Sequence, residues 1–195
     1  MTRTALVTGV TGQDGIYLAR RLLADGMRVV GVVRPGSATG PRVDAYLDGV
    51  ELREVDITDG PELRALVTDV APQEVYNLAA LSSVGRSWQE PELTRRVNHD
   101  AVVDLVAAAH DIAARGREVR FFQASSAEVV GQAADSPYAR AKADAERVVE
   151  KARSEGLPAS YARLCVHESP VRPLGFVFRK ITRGAAEIAL GRQDQ

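Results

Sequence analysis

The sequence predicts an α/β fold in which a doubly wound parallel sheet is covered by helices on both faces. Two observations carry that prediction. Five short, mostly apolar runs, Ala5 to Val7, Val29 to Val33, Val75 to Leu78, Val119 to Ala124 and Ala159 to Leu164, are separated by segments long enough for helices. The first run ends in a glycine-punctuated turn, Thr8-Gly9-Val10-Thr11-Gly12-Gln13-Asp14-Gly15, and a helical pattern begins near Ile16.

Taken in order, the first unit is complete within Ala5 to Val33: Tyr17, Leu18, Leu22 and Leu23 recur at helical spacing and Gly26 closes the helix. The crossover to the second strand is expected to be right-handed. Pro35 to Pro41, rich in Gly, Ser, Thr and Pro, reads as a loop. A third strand ends just before Asp56-Ile57, ahead of a helix from Pro61 to Val70. The fourth strand ends in Asn77-Leu78-Ala79-Ala80. A long helical segment from Glu92 to Ala114 turns Leu93, Val97, Val102, Leu105 and Val106 to the core and leaves Arg95, Arg96, His99 and Asp100 solvated. A last helix is placed from about Leu174 to Leu190.

Composition narrows the function classes. The chain has 195 residues, enough for one substantial core, and a net charge of −1 with no basic run suited to a nucleic-acid backbone. Cys165 is the single cysteine, read as a small buried residue after a strand; it leaves no internal disulfide and no thiolate zinc cluster. His99 and His110 lack partners at zinc spacing, so no metal is expected. No apolar run approaches about 18 residues and no cleavable leader precedes the first strand. The expectation is a soluble cytoplasmic protein with no membrane partner.

The glycine turn points to a ligand. A buried strand stops, the backbone turns where side chains would clash, and a helix begins with unpaired N–H groups and roughly half a positive charge. That combination suits the pyrophosphate of a dinucleotide, with Gly9, Thr11, Gly12, Gln13, Asp14 and Gly15 around it. A carboxylate at the end of the second strand would favour NAD; here stand Arg34 and then Ser37, which favours NADP. Asp56, with Ile57, is placed to accept from the adenine amino group or to serve a local turn. The small residues of Leu78-Ala79-Ala80 let the main chain lie against the cofactor.

The chemistry is expected after the fifth strand, at Ser125-Ser126-Ala127-Glu128. If the backbone stays extended there, Ser126 and Glu128 point to the same side. Ser136-Pro137-Tyr138 then opens a helix, with Pro137 in its first turn and Tyr138 and Lys142 at i and i+4 on one face. A cation beside a phenol favours the phenolate, so Tyr138 and Lys142 together form a candidate general base.

These motifs, with His167-Glu168-Ser169-Pro170 and Arg179-Lys180-Ile181, resemble the extended short-chain dehydrogenase/reductase superfamily, and within it the GDP-mannose 4,6-dehydratase family. The resemblance covers nearly the whole chain and is closest at Thr8 to Gly15 and at Gln123 to Glu128. It implies a Rossmann-like NADP-binding domain over residues 1–165, followed at 166–195 by the start of a substrate-binding region, most of which is absent. It implies that Tyr138 takes the proton of a sugar 4-hydroxyl, that Ser126 holds that oxygen, and that Lys142 binds the nicotinamide ribose and tunes Tyr138. It implies that Glu128 removes the C5 proton and helps expel the C6 hydroxyl as water, the step that separates a dehydratase from a plain oxidoreductase. Ser83 near the sugar and Lys180 near the diphosphate are implied substrate contacts.

Departures from the family pattern carry expectations of their own. Only Gln132 to Asp135 separate Gly131 from Ser136, a short tether that can displace Tyr138 from Ser126. Val130, Leu81 and Val166 stand where a tyrosine, a glutamine and an asparagine are usual. Three functions follow: an NADP-dependent lyase acting on GDP-mannose, another sugar-nucleotide epimerase or reductase, or a dinucleotide-binding remnant without turnover. A homo-oligomer is expected, through apolar surface near the last helix.

Overall fold

The computed structural model describes residues 2–193. Six parallel strands form one sheet: β1 (Thr4–Thr8), β2 (Arg28–Val33), β3 (Glu51–Glu54), β4 (Glu74–Asn77), β5 (Arg120–Ser126) and β6 (Ala159–Leu164). Their order is β3-β2-β1-β4-β5-β6. The chain leaves β3 at one edge and crosses to the other side of β1, so the order reverses between β1 and β4. In such sheets ligands bind in the crevice outside the carboxyl ends of the strands at that reversal.

Helices α1 (Gln13–Ala24), α2 (Pro41–Tyr46), α3 (Gly60–Val70), α4 (Val84–Gln89), α5 (Pro91–Arg95), α6 (Ala101–Ala114) and α7 (Pro137–Ser154) occupy the crossovers, and α8 (Val177–Ala189) follows the sheet. Strand alternation divides the core into two clusters. Leu6, Val30, Val32, Val75 and Phe121 join Leu63, Val67, Val102, Leu105 and Val149 of α3, α6 and α7. Ala5, Val7, Val29 and Val33 join Ile16, Ala19 and Leu22 of α1. Tyr17, placed on the helical stripe by its spacing, is exposed, and Ile16 and Ala19 take the buried positions instead.

The third strand has no apolar run because it is an edge. Its Glu51 is paired with Arg28 at 2.5 Å and with Arg53 at 2.8 Å, a charged border that discourages further strand pairing. The segment expected as one helix over Glu92 to Ala114 is continuous but contains a π turn, Arg96–Asp100. The extra residue rotates the preceding turn, so Thr94 and Asn98 are buried where Leu93 and Val97 were expected.

The chain divides into two compact units, Met1–Cys165 and Val166–Gln195. In the second, the Arg172 guanidinium lies 3.7 Å from the Phe176 ring centroid, and α8 starts at Val177, three residues later than its sequence pattern placed it. Val177, Phe178, Ile181 and Ile188 are exposed. Cys165, expected to be buried, is exposed. Among the described residues no helix is long and apolar enough to cross a membrane.

Candidate active site

The turn after β1 is built by three glycines with different tasks. Gly9 has φ +67°, and a Cβ there would stand 2.7 Å from the Ala79 nitrogen. A Cβ on Gly15 would stand 2.3 Å from the Gly9 carbonyl, so this glycine lets α1 close onto the turn. Gly12, the N-cap of α1, makes no side-chain capping bond, and a Cβ there would meet only the Gly9 carbonyl, at 3.1 Å. The turn therefore presents the N-terminus of α1 beside the sheet's reversal point, an arrangement that fits the pyrophosphate of a dinucleotide.

The end of β4 lies directly against this turn. The Ala79 N–H donates to Thr8 Oγ1 at 3.2 Å and the Leu78 N–H to the Thr8 carbonyl at 3.3 Å. The buried Asn98, set by the π turn, accepts from the Leu81 N–H at 2.9 Å and donates to the Leu81 carbonyl at 3.2 Å. Asn98 thereby anchors the strand-end loop through its backbone. Sequence periodicity could not reveal it, because the position becomes inward-facing only through the π insertion.

Arg34 follows β2 directly and is exposed. Asp56 is exposed too. Its Oδ1 accepts from the Thr58 N–H and hydroxyl, each at 2.9 Å, so this carboxylate takes part in a local turn. Those bonds hold its pKa below the ordinary carboxylate range, with Arg96 and Arg34 adding to the effect. A residue the sequence did not single out, Arg42 of α2, donates from Nε to the Thr11 carbonyl at 2.6 Å, placing its guanidinium at the glycine turn. Its position in α2, between β2 and β3, carries no motif.

At the end of β5 the backbone does not stay extended. The strand stops at Ser126, and Ala127–Val129 forms a 3-10 turn in which Ser126 Oγ accepts from the Glu128 N–H at 3.2 Å. Alternation is therefore not what brings Ser126 and Glu128 together; a capped turn does. Successive turns follow, with Gly131 N–H to the Glu128 carbonyl at 3.2 Å and Ser136 N–H to the Ala133 carbonyl at 2.9 Å. The short tether thus folds back on itself before α7 begins at Pro137. The Ser136 hydroxyl caps α7 by accepting from the Ala139 N–H at 3.1 Å, with Pro137 in the first turn.

Tyr138 and Lys142 are both buried. The phenol is not pulled down as the sequence suggested: burial raises its pKa, a hydrogen bond with the Ser126 hydroxyl opposes that, and the charge of Glu128 adds to it. The ammonium of Lys142 donates to the Ala124 carbonyl at 2.7 Å, and burial pushes its pKa down to about 8. The cation expected beside the phenol is directed at the strand, so burial dominates the phenol's titration. Glu128 Oε2 accepts from the Ala133 N–H at 3.4 Å. Ser83 is exposed and caps α4, its Oγ accepting from the Arg86 N–H at 3.2 Å. Lys180 is an exposed residue of α8 in the second unit.

A doubly wound sheet with a glycine turn at its reversal point, and a serine, tyrosine and lysine at the end of β5 and the start of α7, defines an extended short-chain dehydrogenase/reductase. Within that class, residues 6–195 match the family model described as GDP-mannose 4,6 dehydratase, and the chain belongs to that family. Over 98% of its length it is 39% identical to the GDP-mannose 4,6-dehydratase of Vibrio cholerae, of which it covers 57%. The corresponding figures for the GDP-mannose 4,6-dehydratase of Sinorhizobium fredii are 98%, 40% and 60%. The chain spans less than two thirds of the length of these curated relatives. Among solved structures, the dTDP-glucose 4,6-dehydratase of Streptomyces venezuelae with NAD and TYD bound is 24% identical, with a TM-score of 0.76 over 94% of this chain and 62% of that one. The UDP-glucose-4-epimerase of Stenotrophomonas maltophila, with NAD bound, is 25% identical, with a TM-score of 0.75 over 99% and 63%.

Proposed function

We propose that this chain forms the cofactor-binding and redox part of a GDP-mannose 4,6-dehydratase, a lyase converting GDP-mannose to GDP-4-keto-6-deoxymannose with NADP. The observation that supports this best is that the turn after β5, in which Ser126 Oγ accepts from the Glu128 N–H at 3.2 Å, leads into α7 with its buried Tyr138 and Lys142, the latter bonded to the Ala124 carbonyl at 2.7 Å. A hydroxyl, a phenol and a separate carboxylate at one place provide an oxygen holder, a redox acid/base and a second base for elimination.

Gly9, Gly12 and Gly15 would hold the pyrophosphate, with Ala79 and Ala80 lying alongside and Thr11, Gln13 and Asp14 completing the turn. Arg34, helped by Arg42, supports NADP over NAD, because a guanidinium neutralises the additional phosphate. When bound, NADP would supply a reversible hydride acceptor for oxidation at the sugar's C4 and reduction at C6. Tyr138 accepts the proton of the 4-hydroxyl, and Ser126 donates a hydrogen bond to that oxygen as it becomes a ketone. Lys142, one turn further along α7 and bonded to the Ala124 carbonyl, would bind the nicotinamide ribose. The ketone acidifies the C5 proton; Glu128 removes it and passes it to the departing C6 hydroxyl, which leaves as water, and Tyr138 gives the proton it took from the 4-hydroxyl to C5 as the hydride is returned at C6.

The test is incubation of the purified chain with GDP-mannose and NADP, followed by the alkali-sensitive absorbance of a 4-keto sugar. The parent should give it, and Glu128→Gln should still oxidise C4 while releasing no dehydrated product. Full NADP binding with no 4-keto product from the parent would overturn the reading in favour of a dinucleotide-binding remnant.

A further inference from the structure

Helix α7 is fastened to the end of β5 at two adjacent residues. The Ala124 carbonyl receives Lys142 at 2.7 Å and the Ser125 hydroxyl donates to Glu146 Oε1 at 2.5 Å, while the next residue of the strand is Ser126. Tyr138 and Lys142 have work in the chemistry above; Glu146, one turn beyond Lys142, has none. It is nevertheless 4% exposed, a costly place for a carboxylate.

The same carboxylate is gripped from the neighbouring strand. Arg163 of β6 donates from Nε to Glu146 Oε1 and Oε2 at 2.9 and 3.2 Å, and from Nη2 to Oε2 at 2.7 Å. Ser125 and Arg163 are register partners across the β5–β6 ladder, so two adjacent strands converge on one helical side chain. Burial pushes the Glu146 carboxyl up, but its bonds to Arg163 and Ser125 outweigh burial and hold it below the ordinary range. Arg forks of this kind are directional and fix the orientation of the carboxylate they hold.

We propose that Ser125, Glu146 and Arg163 are positioning residues: a clamp that sets the height and rotation of α7 on the β5 end, and so holds Lys142 against Ala124 and Tyr138 against Ser126. The catalytic meaning of the clamp rests on the function proposed above, whereas its geometry does not. Tyr138, Lys142 and Glu146 lie at four-residue steps on one face, so a rotation that frees Glu146 displaces the other two with it.

An ordinary ion pair would merely add stability; here the Glu146 side chain is 5% exposed and that of Arg163 41%, and replacing both partners with apolar residues of similar volume removes the grip without leaving an unpaired buried charge. The double variant Glu146→Leu/Arg163→Met therefore separates stability from placement. The chain has three lysines, Lys142, Lys151 and Lys180, and the last two are exposed, so acylation of Lys142 can be read by peptide mass against internal standards without any turnover. In the double variant, with a melting temperature near that of the parent, Lys142 should acylate about five times faster or more, because the Ala124 bond no longer shields it. Where the parent turns over GDP-mannose, kcat should fall about tenfold or more with KM little changed, as expected for a misplaced acid/base group. Glu146→Asp should restore part of both, since it keeps the charge but shortens the reach. If the double variant does not fold, Ser125→Ala and Glu146→Gln are compared in the same labelling assay. Unchanged Lys142 labelling in a folded variant would overturn the clamp. Absence of turnover in the parent would overturn the proposed function while the labelling still decides the clamp.

Discussion

The buried ammonium of Lys142 lies 2.7 Å from the Ala124 carbonyl and makes its hydrogen bond to the strand, one helical turn from the phenol it was expected to accompany. This relationship gives the site a measurable pH dependence. Burial lowers Lys142 from 10.5 to about 8 in the folded chain. Between those values the unfolded chain holds the proton and the folded chain does not, so stability rises with pH across that window; below about 8 the penalty for charging the buried group is fully present. Lys142→Met should be more stable than the parent at pH 7 by on the order of 3 kcal/mol, and that advantage should shrink above about pH 8 and be nearly gone only by about pH 11. Melting curves of the two proteins from about pH 7 to about pH 11 check this. A gap that stays constant with pH would show that Lys142 is not held in this way.

The three glycines of the first turn should respond differently to alanine. Gly9→Ala and Gly15→Ala drive a Cβ into backbone atoms at 2.7 and 2.3 Å, and each should destabilise the fold by on the order of 3 kcal/mol or more. Gly12→Ala meets only the Gly9 carbonyl at 3.1 Å, so it should fold while weakening NADP binding by about tenfold or more. Urea unfolding beside equilibrium titration with NADP distinguishes these outcomes; equal loss of stability in all three variants would contradict the division of tasks.

Arg34→Ala should lower NADP affinity by roughly tenfold to a hundredfold while leaving NAD affinity nearly unchanged, the loss expected when a charge-assisted hydrogen bond to a phosphate is removed. Fluorescence titration with both dinucleotides measures the ratio. Equal affinities before and after the substitution would remove Arg34 as the phosphate partner.

Asn98 satisfies both the N–H and the carbonyl of Leu81 in a buried place. Asn98→Ala leaves two backbone groups without that partner and should cost about 3 kcal/mol. For a chain of this size the melting temperature should fall by roughly 6 to 12 °C. A fall of less than a degree would mean that the strand-end loop is held by other bonds.

Much of this architecture was legible in the sequence wherever the signal is local. The apolar runs, the glycine turn that opens α1, and the Ser136 cap with Pro137 behind it each depend on a few adjacent residues and their backbone preferences. The order Ser126, Glu128, Tyr138, Lys142 was readable for the same reason, since a strand end and the first turn of a helix lie close in the chain. The edge strand β3 escaped the apolar pattern, because a border needs ion pairs such as Arg28 with Glu51 more than it needs a core.

By itself the sequence determined which residues could meet: a glycine turn at a helix start, and a phenol, hydroxyl, carboxylate and lysine carried on neighbouring elements. Only the tertiary structure decided how they meet. It sent Lys142 to a carbonyl of β5, folded Glu128 into a turn capped by Ser126, rotated Asn98 inward through a π turn, and joined Glu146 to Ser125 and Arg163 on two strands. The physical reason is that burial and partner choice depend on which elements are adjacent in space. Local preferences set where a strand or helix begins, but a buried charge takes whatever partner the packed neighbour presents.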